Sequence, residues 1–150
     1  MRTNRRDALT LARLHRAGEL TVNWMPDPDH VAMRELVRAR EAAMEDLREK
    51  RQQLQLSLLC HGRIYSCRKL RTQAHARWLL NLAFDHPAPY LVLCEYRQAV
   101  EDAEARLVRL TQQVAEVVST WSVALVVEAY QARRGMALLT AVIHVAEIGD

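Results

Sequence analysis

The strongest constraint on this fold is a stripe of apolar residues that recurs in alternating three- and four-residue steps. Between residues 89 and 121 it is filled at every step, by Leu93, Tyr96, Val100, Ala103, Leu107, Leu110, Val114, Val117 and Trp121. A weaker copy runs from about 30 to 60 through Met33, Val37, Met44, Leu47, Leu54 and Leu58, interrupted by Arg40 and Arg51. Such spacing keeps one face of an α-helix apolar and is the pattern of a coiled-coil seam. At about 1.5 Å of rise per residue each helix would be roughly 45 Å long, and neither can bury its stripe alone. The connection between them is long enough to reverse direction. The economical arrangement is an antiparallel hairpin, closed within one chain or doubled by a second. Four Gly and four Pro in 150 residues leave few breaks, and aromatics make up only 5%. The expected class is therefore all-α, a long antiparallel helical hairpin (coiled coil) flanked by short helices.

The flanks carry weaker signals. Residues 5 to 17 predict a short helix that stops at Gly18, a natural C-terminal break. A brief β-like stretch, ELTVNWM, follows, and PDPDH closes it with two prolines, leaving Asp29 to cap the next helix. The connection CHGRIYSCRKLRTQAHARWLLNLAFDHPAP holds its own short helix from about Thr72 to Leu82. Beyond Trp121 the sequence predicts a helix near 123 to 132, a turn at RRGMA, and an apolar helix in LLTAVIHVAEIGD. That last apolar face has no obvious partner in the sequence, so the chain reads as cut short. The resulting division is 1–25, a linker at 26–29, the hairpin with its basic tip at 30–121, and a further unit at 122–150.

Three Cys without an even framework, no secretory h-region and no apolar run approaching about 18 residues point to a cytoplasmic protein. The formal net charge of +3 is modest, and its distribution matters more. Between Glu49 and Asp85 there is no acidic residue, yet Lys50, Arg51, Arg63, Arg68, Lys69, Arg71 and Arg77 fall there, beside His61, His75, Tyr65 and Trp78. Seven uncompensated positives at one end of a rod, with aromatics among them, suit phosphate contact and base stacking. The plainer role for such a run is a solvated tip that keeps the chain soluble.

Cys60, His61, Cys67 and His75 do not follow the spacing of a zinc finger or ribbon. Cys60 and Cys94 are more simply explained as small buried apolar groups. No Gly-flanked nucleophilic Ser, partnered Cys–His pattern or Gly-rich phosphate loop is present. At RRGMALLTAVIHVAEIGD, Gly135 followed by the helix start at Thr140 is like half of a helix-hairpin-helix, whose turn aims backbone N–H groups at DNA phosphates. Ala137 stands where a second Gly is usual, and a plain packing turn is the alternative.

The segments RTNRRDALTLARLHRAGELT, VNWMPDPDHVAMRELVRAREAAMEDLR, HGRIY, ARWLLNLAFDHPA and RRGMALLTAVIHVAEIGD occur in this order along essentially the whole chain. Together they resemble the DEDD-type insertion-sequence transposases, the insertion-sequence one-ten family. The resemblance implies a resolvase-like nuclease domain, a coiled-coil region and a C-terminal transposase domain with a nucleophilic serine. It also implies recombination of DNA with Mg²⁺, and in some members guidance by a structured RNA. The family's T-D-x-x-D-A stretch supplies the last two of its four acids, and here it reads Thr3-Asn4-Arg5-Arg6-Asp7-Ala8. Asp7 matches as the catalytic and metal-binding acid, whereas Asn4 keeps an oxygen and loses the charge.

The resemblance thus implies a transposase lacking segments at both ends, with 1–25 the remnant of the nuclease domain and 122–150 the start of the transposase domain. Such a piece would lack strand cleavage by itself, since Mg²⁺ relies on more than one anionic oxygen donor. It would bind DNA, and possible guide RNA, through Lys50, Arg51, Arg63, Arg68, Lys69, Arg71, Arg77, Gly135 and Thr140, and form homo-oligomers through its heptads. The competing expectation is a stand-alone coiled-coil assembly or adaptor protein without nucleic-acid binding.

Overall fold

The computed structural model describes residues 4–19, 27–66 and 70–148. Among these, six helices and no strand are found: α1 (Asn4–Ala17), α2 (Pro28–Cys60), α3 (Gln73–Leu80), α4 (Pro87–Val118), α5 (Ala124–Gln131) and α6 (Leu138–Ile148). The all-α expectation holds. The β-like stretch at 19–25 lies, apart from Glu19, outside the described residues.

Helix ends follow local chemistry. α1 stops where Gly18 takes φ +69°, with its N–H donating to the His15 carbonyl and the Glu19 N–H to that of Leu14. Gly62, at φ +64°, ends α2 with the same pair of bonds, Gly62 to Leu59 and Arg63 to Leu58. Both are Schellman motifs, which need the left-handed conformation that glycine adopts without a Cβ clash. At the start of α2 the cap is Asp27, not Asp29. The Asp27 carboxylate accepts the His30 N–H at 2.6 Å. Pro28 has no N–H to satisfy and a φ already suited to the first helical position, so the helix begins early and Asp29 becomes a first-turn charge.

α2 and α4 run side by side in opposite directions. Arg40 Nε donates to Thr111 Oγ1 at 3.0 Å, Asp46 faces Arg106 at 3.8 Å, and Arg51 Nη2 meets Glu104 at 2.6 Å. Partner numbers fall along α4 as they rise along α2, which defines an antiparallel pair. The two polar interruptions of the α2 stripe are thus answered across the seam. Two seam positions differ from the heptad count. Val118 is buried and Val117 is exposed, because a straight helix has 3.6 residues per turn and drifts about 20° per heptad. Ala43 is buried while Met44 is 49% exposed, the smaller of two flanking side chains taking the inner place. The stripes cover each other within one chain, so the packing offers no support for a second copy joining at this seam.

Two apolar clusters sit at opposite ends of the hairpin. At its base, Met33, Val37, Val114, Val118 and Trp121 pack with Val127 of α5 and with Ala141, Val142, Val145 and Ala146 of α6. At its tip, Leu54, Leu58 and Leu93 pack with Leu79 of α3. The expectation that the last helix has nothing to pack on is therefore overturned. Ala141, Val142, Val145 and Ala146 are all completely buried against α2, α4 and α5. A partner found by chain reversal cannot be read from the helix's own residues. Among the described residues no helix is long and apolar enough to cross a membrane.

α6 is also held by its end. The Ala146 carbonyl accepts from His30 Nε2 at 3.0 Å and from Arg34 Nε at 2.7 Å, and Arg38 forms a two-pronged pair with Glu147, each bond 2.8 Å. Residues 30, 34 and 38 stand one turn apart on α2 and present donors to the last turn of α6, whose carbonyls have no partner within the helix. The guanidinium also meets the negative end of the helix dipole. Because a carbonyl only accepts, Nε2 of the buried His30 carries the hydrogen. His30→Ala removes that bond and the ring's contact with Trp121, whose centroid lies 5.2 Å away. A loss of about 1–3 kcal/mol is expected in urea denaturation; an unchanged midpoint would refute this latch.

Candidate nucleic-acid interface

The tip of the hairpin is assembled from the end of α2, the turn at Gly62, α3 and the start of α4. Arg63 ties the turn's two ends together: its Nη2 donates to the Ala83 carbonyl at 2.8 Å, and its guanidinium lies over the Phe84 ring at 5.7 Å. His61 meets the same Phe84 edge-on at 5.4 Å. Thr72 caps α3 by accepting the His75 N–H at 3.2 Å. This cap orients α3 so that Leu79 points into the tip core and Trp78 flanks it. Tyr65, His75 and Trp78 then form an aromatic cluster, with centroids 4.9 Å apart for Tyr65–His75, 5.2 Å for Tyr65–Trp78 and 5.8 Å for the stacked His75–Trp78 pair.

The basic residues divide into groups that linear charge counting cannot separate. Arg63, Arg71 and Arg77 are exposed at the tip. Arg71 has a φ of +65°, an uncommon conformation for a residue with a Cβ. Lys50 and Arg51 are not uncompensated. Lys50 lies 3.7 Å from Asp46, and Arg51 is paired with Glu104 across the seam. Their partners precede or follow the acid-free interval in sequence and reach it only through helical periodicity and the hairpin. Arg68 and Lys69 lie outside the described residues. Arg48, not among the sequence candidates, joins Arg51 and Arg71 in lining a groove of about 790 Å³ over Leu54, Leu79 and Val100. The signal was its three-residue spacing from Arg51, which puts both on one helical face.

Gly135 and Thr140 are exposed in the turn between α5 and α6 and in the first turn of α6, with φ +87° at Gly135. This turn adjoins the base cluster, while Arg63, Arg71 and Arg77 stand at the other end. From Met33 to Leu58 along α2 is about 38 Å at 1.5 Å per residue. The candidate residues therefore form two separate surfaces.

Asp7 is exposed in the first turn of α1, where a carboxylate suits the positive end of the helix dipole. The side chain of Asn4 lies outside the described residues. Mg²⁺ demands near-octahedral oxygen coordination, usually from more than one carboxylate or phosphate. Among the described residues no three His, Cys, Asp or Glu side chains gather to hold a metal. Cys60 is exposed rather than buried, and Cys94 is half-buried. Cys67 lies outside the described residues.

Burial lowers the pKa of His75 from its usual value, because desolvation penalises the imidazolium. Packing against Tyr65 and Trp78 therefore favours the neutral form of the ring. A base held below its unfolded value contributes stability above about pH 6.5 and loses it as pH falls through the lowered value. An NMR titration of the His75 ring is expected to show a midpoint below 6.5, with the Trp78 indole signals moving in step. A midpoint above 6.5 would contradict this.

No family model matches the chain, and no solved structure matches it significantly. Two relatives do. Over 150 residues the chain is 48% identical to a Sinorhizobium fredii protein named as a transposase, y4qE, all of the chain matching 35% of that protein. Over 152 residues it is 28% identical to the transposase for insertion sequence element IS1533 of Leptospira borgpetersenii, all of it matching 44% of that protein. The chain thus spans between a third and a half of the length of these relatives.

Proposed function

We propose that this chain serves as the helical-hairpin segment of an insertion-sequence transposase of the DEDD type, binding nucleic acid at its basic tip without performing strand cleavage itself. The observation that carries the transposase assignment is the 48% identity sustained over all 150 residues to a relative named as a transposase. The nucleic-acid role is supported by the three exposed arginines, Arg63, Arg71 and Arg77, in a stretch free of acidic residues. Asp7 would be the one inherited acid of the family's metal site, acting only where further carboxylates are supplied. Gly135 and Thr140 would offer a second, weaker phosphate contact at the base.

The test is binding to labelled DNA across a series of salt concentrations. A phosphate-contacting tip releases counterions, so log K should fall linearly with log salt, by about 0.9 per phosphate neutralised on a duplex. Arg71→Glu with Arg77→Glu is expected to weaken binding at least tenfold and to flatten that slope by about two. Helical content should stay unchanged because both side chains are exposed. Absence of salt-dependent binding by the intact chain would reject this reading in favour of an adaptor.

A further inference from the structure

Beside the aromatic cluster lies a hollow of about 420 Å³, walled by Leu56, Leu59, Ile64 and Leu70 with Tyr65 and Trp78. Its four aliphatic residues are 53%, 58%, 72% and 40% exposed. Along the middle of the hairpin, by contrast, Met44 and Val108 are the large apolar residues left exposed among the described ones. Leaving this much apolar surface in water at one spot costs free energy unless something covers it. The charge around the spot restricts what that is. Residues 50 to 84 contain no acid, and Arg71 and Arg77 are exposed. A second copy would bring the same positive charges together. The occupant must supply negative charge and a flat apolar face at once.

We infer that the tip hollow receives an unpaired base of a nucleic-acid strand, stacked against the Tyr65–Trp78 wall, while Arg71 and Arg77 hold flanking phosphates. This rests on the nucleic-acid reading above and narrows it from nucleic acid in general to unpaired nucleotides. A duplex offers phosphates but keeps its base faces stacked inside, so it would leave the hollow uncovered. An unpaired nucleotide carries both features, and stacking is tolerant of base identity because every base has a π-face. Gln55, which also lines the hollow, provides an amide that can donate to or accept from a base edge.

The experiment uses the full chain and one labelled sequence in four forms: single-stranded DNA, the same strand as RNA, the DNA duplex, and single strands with an abasic site moved along them. Single strands are expected to bind at least tenfold tighter than the duplex at equal salt, and one position of the abasic site should cost about 5- to 150-fold. Trp78→Ala should erase that abasic penalty while leaving duplex binding unchanged. Because Trp78 also flanks the tip core, Ile64→Ser, outside that core, is the second variant and should reduce single-strand binding several-fold with no change in thermal midpoint. Whether DNA or RNA binds more tightly identifies the source of the base, and either preference supports the hollow. Equal binding of strand and duplex, or an abasic series with no sensitive position, overturns this inference while leaving the proposed function standing. Failure to bind any form removes both.

Discussion

Val142→Asp is expected to abolish the folded base of the molecule. Val142 is wholly buried, in a predominantly apolar cluster that includes Met33, Val37, Val114 and Val127. A carboxylate there would lose its hydration among neighbours that are almost all apolar, costing about 4 kcal/mol or more. That is a large share of the roughly 5–15 kcal/mol that holds a small domain together. Circular dichroism should show a large fall in the thermal midpoint, and emission from Trp121, 5% exposed in the same cluster, should shift red. Val142→Ala, which only opens a small cavity, should cost about 2 kcal/mol and preserve the spectrum. A near-wild-type midpoint for the aspartate variant would mean that α6 is not docked as described.

Leu93→Ala should strike the opposite end. Leu93 is 2% exposed, and among the described residues its buried companions are Leu54, Leu58 and Leu79, so a loss of about 2–5 kcal/mol falls on a small cluster. α3 is eight residues long, too short to be stable by itself, and its docking depends on this cluster together with the contacts of His75 and Trp78 to Tyr65. Hydrogen exchange should show α3 amides losing protection while those of α6 keep theirs, since the two clusters lie at different ends of the hairpin. Equal loss in both regions would show one cooperative unit and refute the two-core description. The same measurement bears on binding, because α3 carries Trp78 and Arg77.

Helices and their pairing were legible because an amphipathic stripe reports its own period. The steps from Leu93 to Val114 need no knowledge of the partner to say that one face is buried, and Gly18 stops α1 by a backbone property local to it. The candidate site was less legible. The acid-free interval from Lys50 to Phe84 correctly marks the tip, but it places Lys50 and Arg51 among free charges, although Asp46 and Glu104 neutralise them. Asp46 lies outside the interval by four residues and Glu104 by twenty, distances that only the α-helical turn and the chain reversal bring within reach. Likewise Cys60 looked like a core residue by type, and its exposure depends on where the seam lies around α2.

Residue order alone decided the helical class, the antiparallel hairpin and the basic character of its tip, because periodicity and charge are properties of neighbours along the chain. Three-dimensional packing decided the rest. It gave α6 a partner, set His30 and Arg34 on the Ala146 carbonyl, paired Arg51 across the seam, and gathered Tyr65, His75 and Trp78 around one hollow. Each of these depends on groups far apart in sequence meeting at a few ångströms, and the energy of such a meeting belongs to the pair rather than to either residue.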